Sequence, residues 1–255
     1  MPATDAQLAA RALALLDLTD LSDSADEAGL AALCAKAVST PGPVAAICIW
    51  PRFVAKARDI LGAGPVRIAT VVNFPSGDAS VREVEREVDE ALNARADEID
   101  LVMPWKAFLD GDPQRARLMI ETVRSHRDNG ATLKVILETG EYPDLDRVRE
   151  ASELAIAAGA DFIKTSTGKT AHSASLPAAQ TMLEVIAKAG RPVGLKPSGG
   201  IRSLADAASY LALADQIMGP HWATPETFRF GASGLHQVLV DVIAGGTAGQ
   251  ASGPY

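Results

Sequence analysis

Two lysines and one aspartate set the chemistry open to this chain. Lys164 lies within Ala-Asp-Phe-Ile-Lys-Thr-Ser-Thr-Gly-Lys-Thr, residues 160–170, a run that reads as a buried strand. An ammonium is costly there. Gly194-Leu195-Lys196-Pro197-Ser198-Gly199-Gly200 repeats the arrangement, a lysine in a short apolar run before a glycine turn. Glu98-Ile99-Asp100-Leu101-Val102-Met103 carries a carboxylate in the same way. A free lysine, with a pKa near 10.4, is only about 0.1% neutral near pH 7.4. A second cation nearby and partial burial lower that value and free the lone pair. Attack on a carbonyl then gives a carbinolamine and an iminium, an electron sink for the enamine left when an adjacent carbon–carbon bond breaks. Asp100 is placed to move protons to and from the carbinolamine oxygen, directly or through a water. The competing explanation is that each lysine snorkels to a rim or pairs with a carboxylate.

Such residues need strands to aim them. Residues 5–39 read as two helical segments separated by Leu15–Asp20, which is too acidic for plain core. Strand-like runs follow at Val44–Trp50, Arg67–Phe74, 98–103, 132–139, 161–167 and 193–198. A weak one near Gln216–Met218 and a last one at Phe228–Ala232 make eight. Helical patterns separate them, at 78–95, 112–128, 144–158, 175–189 and 203–213 among others, and a helix at 234–244 closes the series. This alternation predicts an α/β fold with a parallel sheet, and eight strands close a (β/α)₈ TIM barrel. Extra N-terminal helices would occupy 1–40, and 245–255 reads as a flexible tail on a single domain spanning 1–255. The short spacing before the last strand keeps an open doubly wound sheet as the alternative. On the strand period, Phe162, Lys164 and Ser166 share a face, as do Gly194, Lys196 and Ser198. Glu98, Asp100 and Val102 share another, and Thr132, Lys134 and Ile136 a fourth; pointing all four faces inward gathers the charges.

Composition narrows the partners. The net charge of −8 and the lack of a basic stripe argue against nucleic acid. No apolar run reaches the length that spans a bilayer, and the N-terminus lacks the order of a signal peptide. Cys34 and Cys48 form no spaced pair, and His126, His172, His221 and His236 show no ligand spacing, so neither a disulfide nor a metal is expected. Two reduced thiols suit a cytoplasmic protein. Glycine turns at Gly168-Lys169, Gly199-Gly200-Ile201-Arg202 and Gly231-Ala232-Ser233-Gly234 follow strands, and their N–H groups with Lys169 and Arg202 would suit a phosphate.

At these residues the chain resembles the deoxyribose-phosphate aldolases, class I aldolases that form a Schiff base. The likeness runs nearly end to end: Leu16-Asp17-Leu18-Thr19, Ala46-Ile47-Cys48-Ile49, Ala69 through Pro75, Glu98-Ile99-Asp100, Lys134-Val135-Ile136, Ala160 through Lys169, Lys196-Pro197, Gly199-Gly200 and Arg229 through Ser233. It implies Lys164 as the Schiff-base lysine, Lys196 as the neighbour that lowers its proton affinity, and Asp100 as the proton-relay carboxylate. Phosphate contacts are implied around Gly168, Gly199, Ser233 and Gly234, the last standing where relatives carry a second serine. Asp17, Thr19, Cys48, Lys134, Thr167, Lys169, Gly200, Arg202 and Gly231 complete the expected substrate set. The implied reaction is reversible cleavage of 2-deoxyribose 5-phosphate to acetaldehyde and glyceraldehyde 3-phosphate, without a cofactor, by a monomer or homodimer. Another class I aldolase or transaldolase, or a barrel that binds or isomerises a phosphate metabolite non-covalently, stays open. The chain ends on Tyr255, as these aldolases do, and the last eleven residues are long enough to bring its phenol over the pocket as a proton shuttle.

Overall fold

The computed structural model describes residues 3–126, 130–246 and 249. Eight strands run in the order β7-β6-β5-β4-β3-β2-β1-β8, every pairing parallel. They are β1 Leu16–Asp20, β2 Ala46–Ile49, β3 Arg67–Val72, β4 Glu98–Val102, β5 Thr132–Ile136, β6 Phe162–Lys164, β7 Gly194–Lys196 and β8 Phe230–Ala232. Bridges Leu195↔Phe228 and Ser198↔Gly231 join the two ends of the sheet, which closes the barrel. The open doubly wound alternative is thereby excluded.

Helices α1 Asp5–Ala14, α2 Glu27–Ala37, α3 Val54–Leu61, α4 Val81–Asn93, α5 Trp105–Leu109, α6 Pro113–Ser125, α7 Leu145–Ala157, α8 Leu176–Ile186, α9 Leu204–Met218 and α10 Leu235–Ile243 surround it. Their starts follow from local chemistry. Thr4 with Gln7, Ser80 with Glu83 and Ser203 with Asp206 form capping boxes, which satisfy two backbone N–H groups at each start. Along α4, Val84, Val88 and Ala91 recur at helical spacing and turn inward against the sheet layer. None of the described helices is long and apolar enough to cross a membrane.

Two expectations fail together. Gln216–Met218 is no strand but the last turn of α9, whose buried Leu204, Ala207, Leu211 and Ala214 continue one helical stripe until Gly219 ends it at φ 98°. The missing strand is Leu16–Asp20, inside the stretch expected to be a helical extension. Its acidic residues disguised it, because one face of this barrel is lined with charge. Of the helix expected at 112–128, α6 covers Pro113–Ser125, and residues 127 and 128 lie outside the described residues.

The register carries a single inward face around the barrel. Asp17 pairs with Ala46 and Gly231, Thr19 with Cys48, Cys48 with Ala69, and Val71 with Asp100. Asp100 continues to Lys134, Ile136 to Lys164, and Lys164 to Lys196. Residues paired across neighbouring parallel strands point to the same side of the sheet. All four faces proposed from the strand period therefore do converge on the barrel interior.

Candidate active site

Three ammonium groups meet one carboxylate. Asp100 Oδ2 lies 3.0 Å from Lys164 Nζ and 2.7 Å from Lys196 Nζ, and Asp100 Oδ1 lies 2.9 Å from Lys134 Nζ. Below them, Asp17 forms an ion pair with Lys196 at 2.5 Å, accepts a hydrogen bond from Arg229 Nη1 at 2.6 Å, and lies 3.7 Å from Lys134. Glu98 takes Arg229 Nη2 at 2.9 Å and also bonds Lys134. Every side chain in this network is at most 6% exposed.

The electrostatics follow from mutual compensation. Burial would push the Asp100 carboxyl up, but Lys134, Lys196 and Lys164 hold it well below the usual carboxylate range. Asp17 behaves alike: burial opposes its charge, and Lys196, Arg229 and Lys134 outweigh it. Burial also opposes the charge on Lys196, yet Asp100 and Asp17 hold its ammonium well above the ordinary lysine value. Lys196 is thus a fixed cation beside Lys164, and Asp100 is an ionised acceptor between them.

Room for this crowding comes from glycine. A Cβ on Gly231 would lie 2.4 Å from Ser198 Oγ and 3.2 Å from Lys196 Cε. Gly231 therefore faces the barrel interior, against Lys196, and its backbone N–H already donates to Pro197 O at 2.9 Å. Cys48 is fully buried among Ala69, Val71 and Leu21, its Sγ 4.0 Å from Asp100 Oδ2, and burial pushes its thiol up. Thr19 turns its hydroxyl to Asp17 O at 2.8 Å.

The strand ends carry the remaining expected residues. Thr167 donates from N and Oγ1 to Glu138 at 3.1 and 2.5 Å, and its Oγ1 accepts from Lys169 N at 3.0 Å. Lys169 Nζ reaches across the mouth to Leu21 O at 2.8 Å. Gly168, Gly199 and Gly200 adopt φ of 75°, 80° and 81°, the left-handed region that glycine enters without strain. Gly199 N donates to Gly231 O at 3.3 Å, tying the loop after β7 to β8. Gly234 precedes α10, whose N-terminus has no side-chain cap. Ser233 sits beside it, half-buried. Arg202 anchors its backbone N on Asp206 at 2.9 Å, and its buried Nε has no partner among the described residues. Tyr255 and most of the 245–255 tail lie outside the described residues.

Sequence reasoning underrated three residues. Glu98 shares the Asp100 face and Arg229 lies in a block that carries the resemblance, but nothing local in the sequence gives either a part. Glu138 was missed, although it is the next step on the 132, 134, 136 period. In the structure β5 ends at Ile136, and Glu138 stands at φ 60° with a fully buried carboxyl. Burial raises that carboxyl, and hydrogen bonds from Thr167 offset part of the rise. Ser166, beyond Lys164, has a buried hydroxyl with no partner among the described residues.

The comparisons agree with this geometry. The profile of the DeoC/LacD family aldolases matches residues 11–235. A deoxyribose-phosphate aldolase from Agrobacterium fabrum is 51% identical over 250 residues, covering 98% of this chain and 96% of that protein. A tetrameric deoxyribose phosphate aldolase from Aeropyrum pernix superposes with a TM-score of 0.76 at 25% identity, covering 94% of this chain and 92% of that one. An apo structure from Toxoplasma gondii ME49, provisionally described as a deoxyribose-phosphate aldolase, gives 0.87 at 25% identity, over 95% and 98%. With lysines and carboxylates converging inside a closed (β/α)₈ barrel and a family match over most of its length, this chain belongs to the DeoC/LacD family of aldolases.

Proposed function

We propose that the chain is a deoxyribose-phosphate aldolase that works through an imine on Lys164. The observation that carries this is the contact of Lys164 and Lys196 with the same oxygen of Asp100, at 3.0 and 2.7 Å. The 51% identity to the Agrobacterium enzyme supports the substrate.

In this reading the neutral Lys164 amine adds to the C1 aldehyde of open-chain 2-deoxyribose 5-phosphate. The carbinolamine hydroxyl takes a proton, supplied from Lys196 by way of Asp100, and leaves as water. The iminium then withdraws the electron pair of the C2–C3 bond while the C3 hydroxyl gives up its proton, so glyceraldehyde 3-phosphate departs. Protonation of the enamine at C2 and hydrolysis release acetaldehyde and restore the amine. The buried network serves this chemistry because its charges are fixed in place before the substrate arrives. Loops after β6, β7 and β8, with Arg202 and the uncapped start of α10, are the proposed seat of the phosphate, at the end of the barrel where such sites form. Tyr255 is retained as a proposed proton shuttle. Two buried free thiols, Cys34 and Cys48, support a cytoplasmic setting.

The test is turnover. The purified chain should convert 2-deoxyribose 5-phosphate to equal amounts of acetaldehyde and glyceraldehyde 3-phosphate. Cleavage of a keto-donor instead would assign the site to another class I aldolase.

A further inference from the structure

Glu138 is a buried acidic side chain to which the proposed reaction gives no part. It continues the inward period of Lys134 and Ile136 past the end of β5, is fully buried, and stands at φ 60°. The left-handed region is strained for a residue with a Cβ, and such strain persists where the surrounding structure needs a side chain in one place. The backbone is pinned on both sides of it: Leu137 N donates to Lys164 O at 2.9 Å, and Thr139 N to Thr165 O at 2.8 Å. So placed, the side chain reaches the loop that follows β6.

There it accepts. Thr167 N donates to Glu138 Oε1 at 3.1 Å and Thr167 Oγ1 to Glu138 Oε2 at 2.5 Å, a length found for hydroxyls bonded to carboxylates. Thr167 Oγ1 in turn accepts from Lys169 N at 3.0 Å. A hydroxyl has one hydrogen to give, so this chain of bonds runs one way, from Lys169 N–H through Thr167 to Glu138. Burial raises the carboxyl, and the bonds from Thr167, then the charge of Lys164, oppose the rise. Thr170 Oγ1 donates to His172 O at 3.0 Å and lies 3.5 Å from Glu138 Oε1. A Cβ on Gly140 would fall 2.3 Å from His172 O, so the loops after β5 and β6 are packed without slack. Between Thr167 and Lys169 the chain turns at Gly168, φ 75°, whose Cα lies 3.4 Å from where a Cβ on Gly199 would stand. Among the described residues no hydrogen bond uses the Gly168 N–H.

We infer that Glu138 is a positioning residue: through Thr167 it holds the turn at Gly168-Lys169 in the shape that receives the substrate's phosphate. Its part rests on the proposed seating of that phosphate against the loop after β6.

The experiment compares the parent, Glu138→Gln, Thr167→Val and the double variant. Each is assayed with 2-deoxyribose 5-phosphate and with unphosphorylated deoxyribose, inorganic phosphate serving as inhibitor of the second reaction. By charge alone, Glu138→Gln would tighten an anion site, since a nearby negative charge is removed. Positioning predicts the opposite sign. KM for 2-deoxyribose 5-phosphate and the inhibition constant of inorganic phosphate should both rise about 10-fold, the scale of one lost charge-assisted bond. Cleavage of unphosphorylated deoxyribose should fall far less. The double variant should be no worse than the worse single one, because both substitutions break the same chain of bonds. Equal losses on both sugars, an inhibition constant that stays or tightens, or additive losses in the double variant would overturn the inference. If Glu138→Gln does not fold, Glu138→Asp, which keeps the charge but is one methylene shorter, should show the same loosening. The parent separates the premise: if inorganic phosphate does not inhibit it, the seat of the phosphate fails and this inference with it. An inhibited parent whose constant is unmoved in Glu138→Gln sinks only the part given to Glu138.

Discussion

Lys164 and Lys196 are register partners on β6 and β7, and both ammonium groups converge on Asp100 Oδ2. Two like charges are held side by side by one carboxylate, and Asp17 secures Lys196 a second time at 2.5 Å. The asymmetry assigns the parts: Lys196 is the better-anchored cation and Lys164 the freer amine.

Lys196→Met should therefore move the acid limb of activity to higher pH. Losing a neighbouring cation worth one to two pH units reduces the reactive amine about 10- to 100-fold at neutral pH. Loss of its proton transfer would add to this. A pH–rate profile checks it, and a profile that does not move contradicts the coupling.

The acid limb of stability should follow Asp17 and Asp100. Both carboxyls are held below their ordinary values by the surrounding cations, which outweigh the opposing effect of burial. Stability from a depressed carboxyl is fully present above its unfolded value, near 3.9, and is lost as pH falls through the folded one. The urea midpoint of the parent should thus fall from about pH 5 downward. Asp17→Asn breaks a buried pair and should cost about 3–5 kcal/mol at neutral pH, with a shallower decline in acid. Equal midpoints for the two proteins at pH 7 would contradict the network.

Gly231→Ala should be destabilised although the substitution is small. The new Cβ would fall 2.4 Å from Ser198 Oγ and 2.9 Å from Ser198 Cβ, and neighbours must shift. Overpacking of this kind costs about 1–3 kcal/mol, or roughly 2–4 °C of melting temperature per kcal/mol at this size. Activity should fall as well, since Lys196 Cε is 3.2 Å away. Unchanged melting and turnover would show that β8 has slack at this point.

Arg202→Ala should discriminate between substrates. Its buried Nε is without a partner among the described residues and stands among the loops expected to hold phosphate. A charge-assisted hydrogen bond is worth about 1.5–3 kcal/mol, so KM for 2-deoxyribose 5-phosphate should rise about 10- to 100-fold while unphosphorylated deoxyribose is little affected. Equal changes for both substrates would move the phosphate elsewhere. Lys169→Ala is expected to act less simply, because its ammonium also ties the β6 loop to Leu21 at 2.8 Å.

Sequence period was enough to bring Lys164, Lys196, Asp100 and Lys134 to one interior, because a parallel strand fixes which neighbours share a face. It misplaced Leu16–Asp20, since a strand whose buried side chain is an aspartate has no apolar signature; only the partners Lys196 and Arg229, more than 170 residues on, make Asp17 a core residue. The same blindness hid Arg229 and Glu98, which are charged residues in any local view and become interior only when the barrel closes. Glu138 keeps the β5 period but lies past the strand's end at Ile136, where the chain turns at Glu138 itself with φ 60°, and a charged residue in such a turn carries no local sign of burial.

The central claim is that Lys164 forms the imine, and intact mass with peptide mapping tests it most directly. After incubation with acetaldehyde and borohydride, the parent should gain one reduced two-carbon adduct, located on the peptide that carries Lys164, and Lys164→Ala should gain none. An adduct on Lys196, or a full adduct on Lys164→Ala, would contradict the account.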